Sequence, residues 1–359
     1  MPGPSRLLPL LAVTLLATAG DAAAVDPAGE QRWAGVDVPP PTRDHYTLTI
    51  YWENDGGYLQ PNHPRDRYYT NGVALGVTHQ PDWAQRLAPH MPFAERFGPA
   101  KTGAGYILGQ QMFTPADIED PERIEDDRPY AGYLFAGVYW QRATGQTQDH
   151  FQINLGLVGP STRASDAQRD VHELVKAREP RGWEHQLRDE PVVQGWFYKK
   201  WRWSPLTPGG PWAGRDMDVQ VLPLLGAAVG TAHRHLEVGS TLRVGFNLPD
   251  DFGRDRIHDP VAATAEPRRG WGAHVFGYAG LRFVEHNMFL RGNNFRSGGH
   301  GVSAKPIVGE VQLGLAASYR GPRWAGEVSY SQNFQSDEFT GQDGAHSFGT
   351  IVFSVTGWF

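Results

Sequence analysis

Residues 235–247 read HLEVGSTLRVGFN. Leu236, Val238, Leu242, Val244 and Phe246 share one phase, broken only by Ser240, while Glu237, Thr241, Arg243 and Asn247 take the other. Successive side chains of a strand point to opposite faces, so this period of two describes a long strand with one apolar face. The same alternation recurs at 148–158, where Phe151, Ile153, Leu155 and Leu157 oppose Gln152, Asn154 and Gly156. It recurs again where Val311, Leu313, Leu315 and Ala317 oppose Glu310, Gln312 and Ser318. From residue 44 onward twelve such segments are predicted: 45–54, 69–80, 104–114, 129–142, 148–158, 192–203, 217–230, 235–247, 271–286, 307–320, 324–335 and 347–359. Turn residues separate them.

Alternating strands suit either a soluble β-sandwich or a membrane barrel. Two features favour the barrel. The segments are long, whereas strands of globular proteins usually run about five or six residues. The sequence also closes on Ile351-Val352-Phe353-Ser354-Val355-Thr356-Gly357-Trp358-Phe359, with an aromatic last residue in phase with the apolar face, as in the terminal strand of bacterial outer-membrane barrels. The expected fold is all-β: a 12-stranded antiparallel transmembrane β-barrel with a short helix in a long extracellular loop. An even number of antiparallel strands of about ten residues or more matches that class.

Composition agrees. The 359 residues include 43 glycines, 12 Trp, 13 Tyr and 17 Phe, which suits close strand contact and aromatic girdles. No run of about twenty apolar residues follows the N-terminal region, so no transmembrane helix is expected, although barrel strands hide their apolar residues in alternation. A net charge of −6 argues against nucleic acid as a partner. The absence of cysteine removes disulfides and thiol chemistry. Arg6, the apolar run Leu7–Ala17 and the small residues ending Ala22-Ala23-Ala24 read as a signal peptide over 1–24. Residues 25–43 read as a mobile, Pro-rich N-terminal segment, and 44–359 as the barrel.

Connector lengths orient the barrel, since this class has short periplasmic turns and longer external loops. Connectors 55–68, 115–128, 159–191 and 287–306 are long and fall on the external side; the opposite ones are expected to be mostly short, with 81–103 the exception. Within 161–191, Asp166 to Lys176 has good helix formers with an acidic start and a basic end, and Pro180 stops it.

The hairpin YTLTIYWENDGGYLQPNHPRDRYYTNGVALGVTHQ, Tyr46 to Gln80, carries unusual polarity at its external end. Asn54-Asp55-Gly56-Gly57 is ordinary turn chemistry, but the connector is too long to require a tight turn there. A carboxylate beside amide and carbonyl oxygens is also a donor set that suits calcium. Thr70 lies beside Asn54 and Asp55 if the hairpin pairs in register, though Thr is in any case a good strand former. His172 shares a helix face with Gln168 and Lys176, all polar, and is therefore expected outside any core. A histidine at such a place is ordinarily a solvated or packing residue, yet its titration range makes it a natural general base. No G-x-S-x-G and no H-E-x-x-H is present. Water activated by histidine beside calcium is the simplest mechanism left.

The ordered motifs ENDGGYLQP, DRYYTNG, DRPYAGYLFAG, NLGLVGPST, GWEHQLRDEP and the C-terminal SDEFTGQDGAHSFGTIVFSVTGWF resemble the LpxR family of outer-membrane lipid A 3′-O-deacylases, over the whole chain from about residue 44. The resemblance implies a twelve-stranded barrel in the bacterial outer membrane. It also implies a calcium-dependent hydrolase that removes the 3′-linked acyloxyacyl group from the lipid A of lipopolysaccharide, with its site between the wall and a helix from an external loop. It assigns Asn54, Asp55, Thr70 and His172 to catalysis, Ca2+ to Asp55, and Gln60 to the substrate pocket. Where the family supplies basic residues after MFTP, residues 116–128 are mostly acidic, leaving Arg123 and Arg128 as candidates for contact with lipid A phosphate or the ester oxyanion. A monomer is expected. The alternatives are an outer-membrane phospholipase, which requires a serine beside the histidine, or a non-enzymatic porin-like barrel.

Overall fold

The computed structural model describes residues 45–55, 66–90, 100–204, 217–260, 269–296 and 299–358. The expected signal peptide, the segment 25–43 and Gln60 lie outside the described residues.

Twelve strands form a closed barrel: β1 His45–Asn54, β2 Tyr68–His79, β3 Lys101–Thr114, β4 Ala131–Ala143, β5 Thr147–Val158, β6 Glu190–Trp201, β7 Met217–Gly230, β8 His233–Phe246, β9 Gly270–Asn287, β10 Ile307–Arg320, β11 Trp324–Gln335 and β12 His346–Trp358. Each pairs antiparallel with its sequence neighbours, and β1 closes the ring on β12, His45 opposite Trp358 and Asn54 opposite Gly349. Closure leaves no unpaired strand edge, which a bilayer requires. Among the described residues, three α-helices sit in connectors: α1 Asp82–Leu87, α2 Ala164–Val175 and α3 Met288–Arg291.

The burial pattern is inverted relative to a water-soluble protein. On β1, Tyr46, Leu48, Ile50 and Trp52 are exposed while Thr47, Thr49 and Glu53 are buried. On β5, Ile153 and Leu155 are exposed while Gln152 and Asn154 are buried. Apolar residues therefore face outward on a lipid-facing belt and the polar residues face the lumen, which rejects the soluble sandwich. Trp271, Tyr319 and Trp324 pack in a row at one end of that belt, with ring centroids 5.0 and 5.3 Å apart, as an aromatic girdle.

The lumen is filled. Residues 247–260 of the β8–β9 connector fold inward rather than away, burying Leu248, Phe252 and Ile257. Arg254 meets Glu310 at 2.7 Å and Glu237 at 2.5 Å, and Arg256 meets Glu53 at 2.8 Å and Glu310 at 3.0 Å. Buried charges survive only when paired, and this inward strap supplies the cations for carboxylates that the strand alternation points into the lumen. The expectation of mostly short connectors at this end is thereby corrected. Residues 144–146 and 321–323 are short, but 202–216 and 247–269 are long alongside 80–100.

Candidate active site

The β1–β2 hairpin pairs in the register that brings the polar motifs together: Glu53 opposite Gly72 and Asn54 opposite Asn71. Between β2 and β3 the register shifts at Tyr69/Asn71, leaving Thr70 as a bulge residue. Tyr69 turns inward and donates from Oη to Glu53 Oε2 at 2.5 Å. Thr70 turns instead to Thr114, their hydroxyl oxygens 2.7 Å apart. Thr114 shares the phase of Tyr106 and Leu108, both exposed on the lipid-facing side of β3. On β1 the apolar outward row ends at Trp52 and Asn54 follows it in the same phase; on β2 the row ends at Val73 and Asn71 follows. The site therefore begins one rung beyond the apolar belt, on the outer wall of the barrel.

A turn with left-handed Asp66 (φ 61°) and Tyr68 (φ 68°) leads into β2. Thr114 Oγ1 donates to the Asp66 carbonyl at 2.9 Å, so the proton between the two threonine hydroxyls belongs to Thr70. The Asp55 N–H and Asn54 Nδ2 both donate to the Thr70 carbonyl, at 3.2 and 3.3 Å. Asp55 Oδ2 accepts from the Arg67 N–H at 2.6 Å, whereas Asp55 Oδ1 is buried without a hydrogen-bond partner. Burial first, then the charge of Asp66, pushes the Asp55 carboxyl well above its ordinary range.

An orphaned carboxylate oxygen beside a second carboxylate is chemistry that a cation would relieve. The unpartnered Asp55 Oδ1 is the kind of hard oxygen donor that would fit calcium. Among the described residues no three carboxylates or histidines converge as a ready cage.

Helix α2 follows the 3₁₀ turn Pro160–Thr162 and lies against the outward side of β3 and β4. Gly132, outward on β4, is what permits the approach: a Cβ there would collide with Thr162 Oγ1 and Ala164 Cβ. Ala164 packs with Met112, Ile118, Tyr130 and Trp183, and the Trp183 indole donates to Gln168 Oε1 at 2.7 Å. The helix stops at left-handed Lys176 (φ 55°). His172 is expected outside any core; the structure buries it with Gln168 against the outer wall, His172 being 7% exposed. Gln168 Oε1 accepts from Trp183 while its Nε2 is buried without a partner, and polarity alone does not set which face is covered.

His172 Nε2 stands 3.1 Å from Asp66 Oδ1, and Nδ1 bonds the Arg178 carbonyl. The Asp66 hydrogen bond raises the imidazole above its ordinary titration range, against the opposing effect of burial and the charge of Arg178.

A family model described as outer membrane protein LpxR matches residues 8–357. The chain belongs to the LpxR family. This is the family of outer-membrane lipid A deacylases to which the sequence motifs pointed, and it places the chain in the outer membrane. The structure is similar to that of LpxR from Salmonella typhimurium, with TM-score 0.66 and 19% identity, covering 87% of this chain and 100% of that one. Other barrels resemble it less. The transport unit of the autotransporter AIDA-I from Escherichia coli has TM-score 0.41 and 11% identity, covering 97% of each chain. The translocator domain of the autotransporter NalP from Neisseria meningitidis has 0.39 and 9%, covering 98% and 96%. No curated protein sequence matches.

In this LpxR-family chain the structure brings Asn54, Asp55 and Thr70 together and joins His172 to them through Asp66. It does not bring in the two arginines. Arg123 pairs with Glu125 in an exposed loop, and Arg128 is buried, meeting Glu338 at 3.2 Å with its guanidinium 4.9 Å from the Phe113 ring centroid. Sequence reasoning missed Asp66 and Thr114. Asp66 stands in the DRYYTNG motif, and that was the signal available.

Proposed function

We propose that this protein hydrolyses the 3′-O-linked acyloxyacyl ester of lipid A in lipopolysaccharide, with calcium and with His172 as general base. One observation carries the reading. An imidazole buried on the lipid-facing wall reaches a carboxylate, Asp66, beside the orphaned oxygen of Asp55.

The Arg178 carbonyl can only accept, so Nδ1 keeps its proton and Nε2 is the basic nitrogen. A water admitted between the ring and Asp66 gives its proton to Nε2 as its oxygen bonds to the acyl carbon. Asp66 stabilises the imidazolium so formed. The ester C–O bond then breaks, His172 returns the proton to the departing sugar 3′ oxygen, and a free acid and a 3′-hydroxyl result. Calcium held at Asp55 would supply Lewis-acid polarisation of the ester carbonyl. Asn54 and Thr70 fix the Asp55 backbone through the shared Thr70 carbonyl. Of the basic candidates, Arg123 keeps solvent access and is proposed for phosphate contact, while Arg128 is committed to Glu338. Gln60 is proposed for the substrate pocket on the motif alone.

The phospholipase alternative needs a serine nucleophile, but Ser161 Oγ is bonded to Asp189 Oδ2 at 2.7 Å. The test is lipid A mass spectrometry on cells carrying the protein. The wild type removes the 3′ acyl group, EGTA stops it, calcium restores it, and glycerophospholipids stay intact. Unchanged deacylation by a folded His172→Ala barrel overturns the assignment.

A further inference from the structure

Helix α2 is amphipathic with its apolar side left outside. At helical spacing, Ala164, Gln168 and His172 meet the wall, and Asp166, Arg169, Asp170 and Glu173 lie on one flank. Ala167, Val171 and Leu174 lie on the other, with Val175 beside them at the C-terminal end. Val171 is 55% exposed, Leu174 82% and Val175 62%. A helix on a water-soluble protein turns its apolar side to the core. Here the polar Gln168 and His172 are covered and the aliphatic residues are presented.

The surroundings explain the inversion. The wall under α2 is the lipid-facing one: Met112 and Gly132, which α2 covers, share the outward phase of Leu108 on β3 and Leu134 on β4. The helix occupies a place that lipid would otherwise fill. Leu134, Leu155 and Val193 are exposed on β4, β5 and β6, and β5 and β6 are the strands that α2 connects, so the aliphatic flank continues an apolar surface already assigned to the membrane. We propose that Val171, Leu174 and Val175 form a membrane-contact ridge seated in the hydrocarbon of the outer leaflet, with the charged flank of α2 at the headgroups. The ridge holds the His172-bearing helix at a fixed depth. The inference rests on the outer-membrane location and not on the reaction, so it stands or falls separately from the proposed activity.

The chain has no cysteine, so single labels are clean. Spin labels are placed on Val171→Cys, Leu174→Cys and Glu173→Cys in the full chain, reconstituted in vesicles of lipopolysaccharide and phospholipid. Leu155→Cys, on the outer wall, serves as the reference. The expected result is that labels at 171 and 174 match the one at 155, colliding with oxygen and shielded from a water-soluble nickel chelate, while the label at 173 meets the chelate. Chelate access at 171 and 174 equal to that at 173 overturns the proposal. Shielding of 171 and 174 from both reagents overturns it too, since a second copy would then cover the flank.

Discussion

In the proposed mechanism Asp66 sets the pH at which His172 works. Its carboxylate holds the imidazolium at 3.1 Å and raises the titration of the ring, and Arg178 is the opposing charge. The proposed base is the neutral form, present only above that raised value, so activity should rise with pH along a limb displaced to the alkaline side of an ordinary histidine. Asp66→Asn should move the acid limb of kcat/KM to lower pH, measured as a pH profile on purified protein. The same raised value means that the ion pair stabilises the fold below the unfolded pKa of histidine and is lost as pH rises through the folded one. Removing the base with His172→Ala should cost about 10²–10⁴-fold in kcat. Asp55→Asn should abolish the calcium response, leaving a residual rate that EGTA does not change. At this scale the proximity of Asn54, Asp55 and Thr70 was legible, because a hairpin register joins residues close in sequence. Asp66 was not. Its role depends on a left-handed turn and on a helix that arrives from about a hundred positions away, and no local pattern encodes either.

Helix α2 was legible as a helix, from its formers and its acidic start and basic end, but which neighbours cover its polar face was not. Periodicity reveals two faces and leaves open which medium each will meet. The strands lacked this ambiguity, since the closed ring sends one parity outward everywhere, and β7, β10 and β11 have the bounds that alternation predicts. What holds α2 to the wall is the missing side chain of Gly132. Gly132→Val should lift the helix from β4 and withdraw the imidazole from Asp66. The expected loss is about 10²-fold in kcat, the scale of a misplacement near 1 Å, with the barrel still assembled and heat-modifiable on SDS gels.

Across the whole molecule, twelve strands and their order could be read from alternation, but the inward strap could not. Residues 248–260 are charged and aperiodic, and in the sequence they look like a solvated loop; only the lumen carboxylates Glu53, Glu237 and Glu310 give Arg254 and Arg256 their destination. A lumen so filled should conduct no ions, and planar-bilayer recordings should stay at baseline, contrary to a porin. Arg256→Met should strand Glu53 and cost roughly 3–5 kcal/mol, read as a lower unfolding temperature in detergent. Because Asn54, Thr114 and α2 stand on the outer wall, substrate and product of the proposed reaction would travel sideways within one leaflet without crossing the cylinder. Turnover is then governed by how many glycolipids occupy each patch of membrane and how fast they drift. Bulk concentration in the surrounding fluid would not set it.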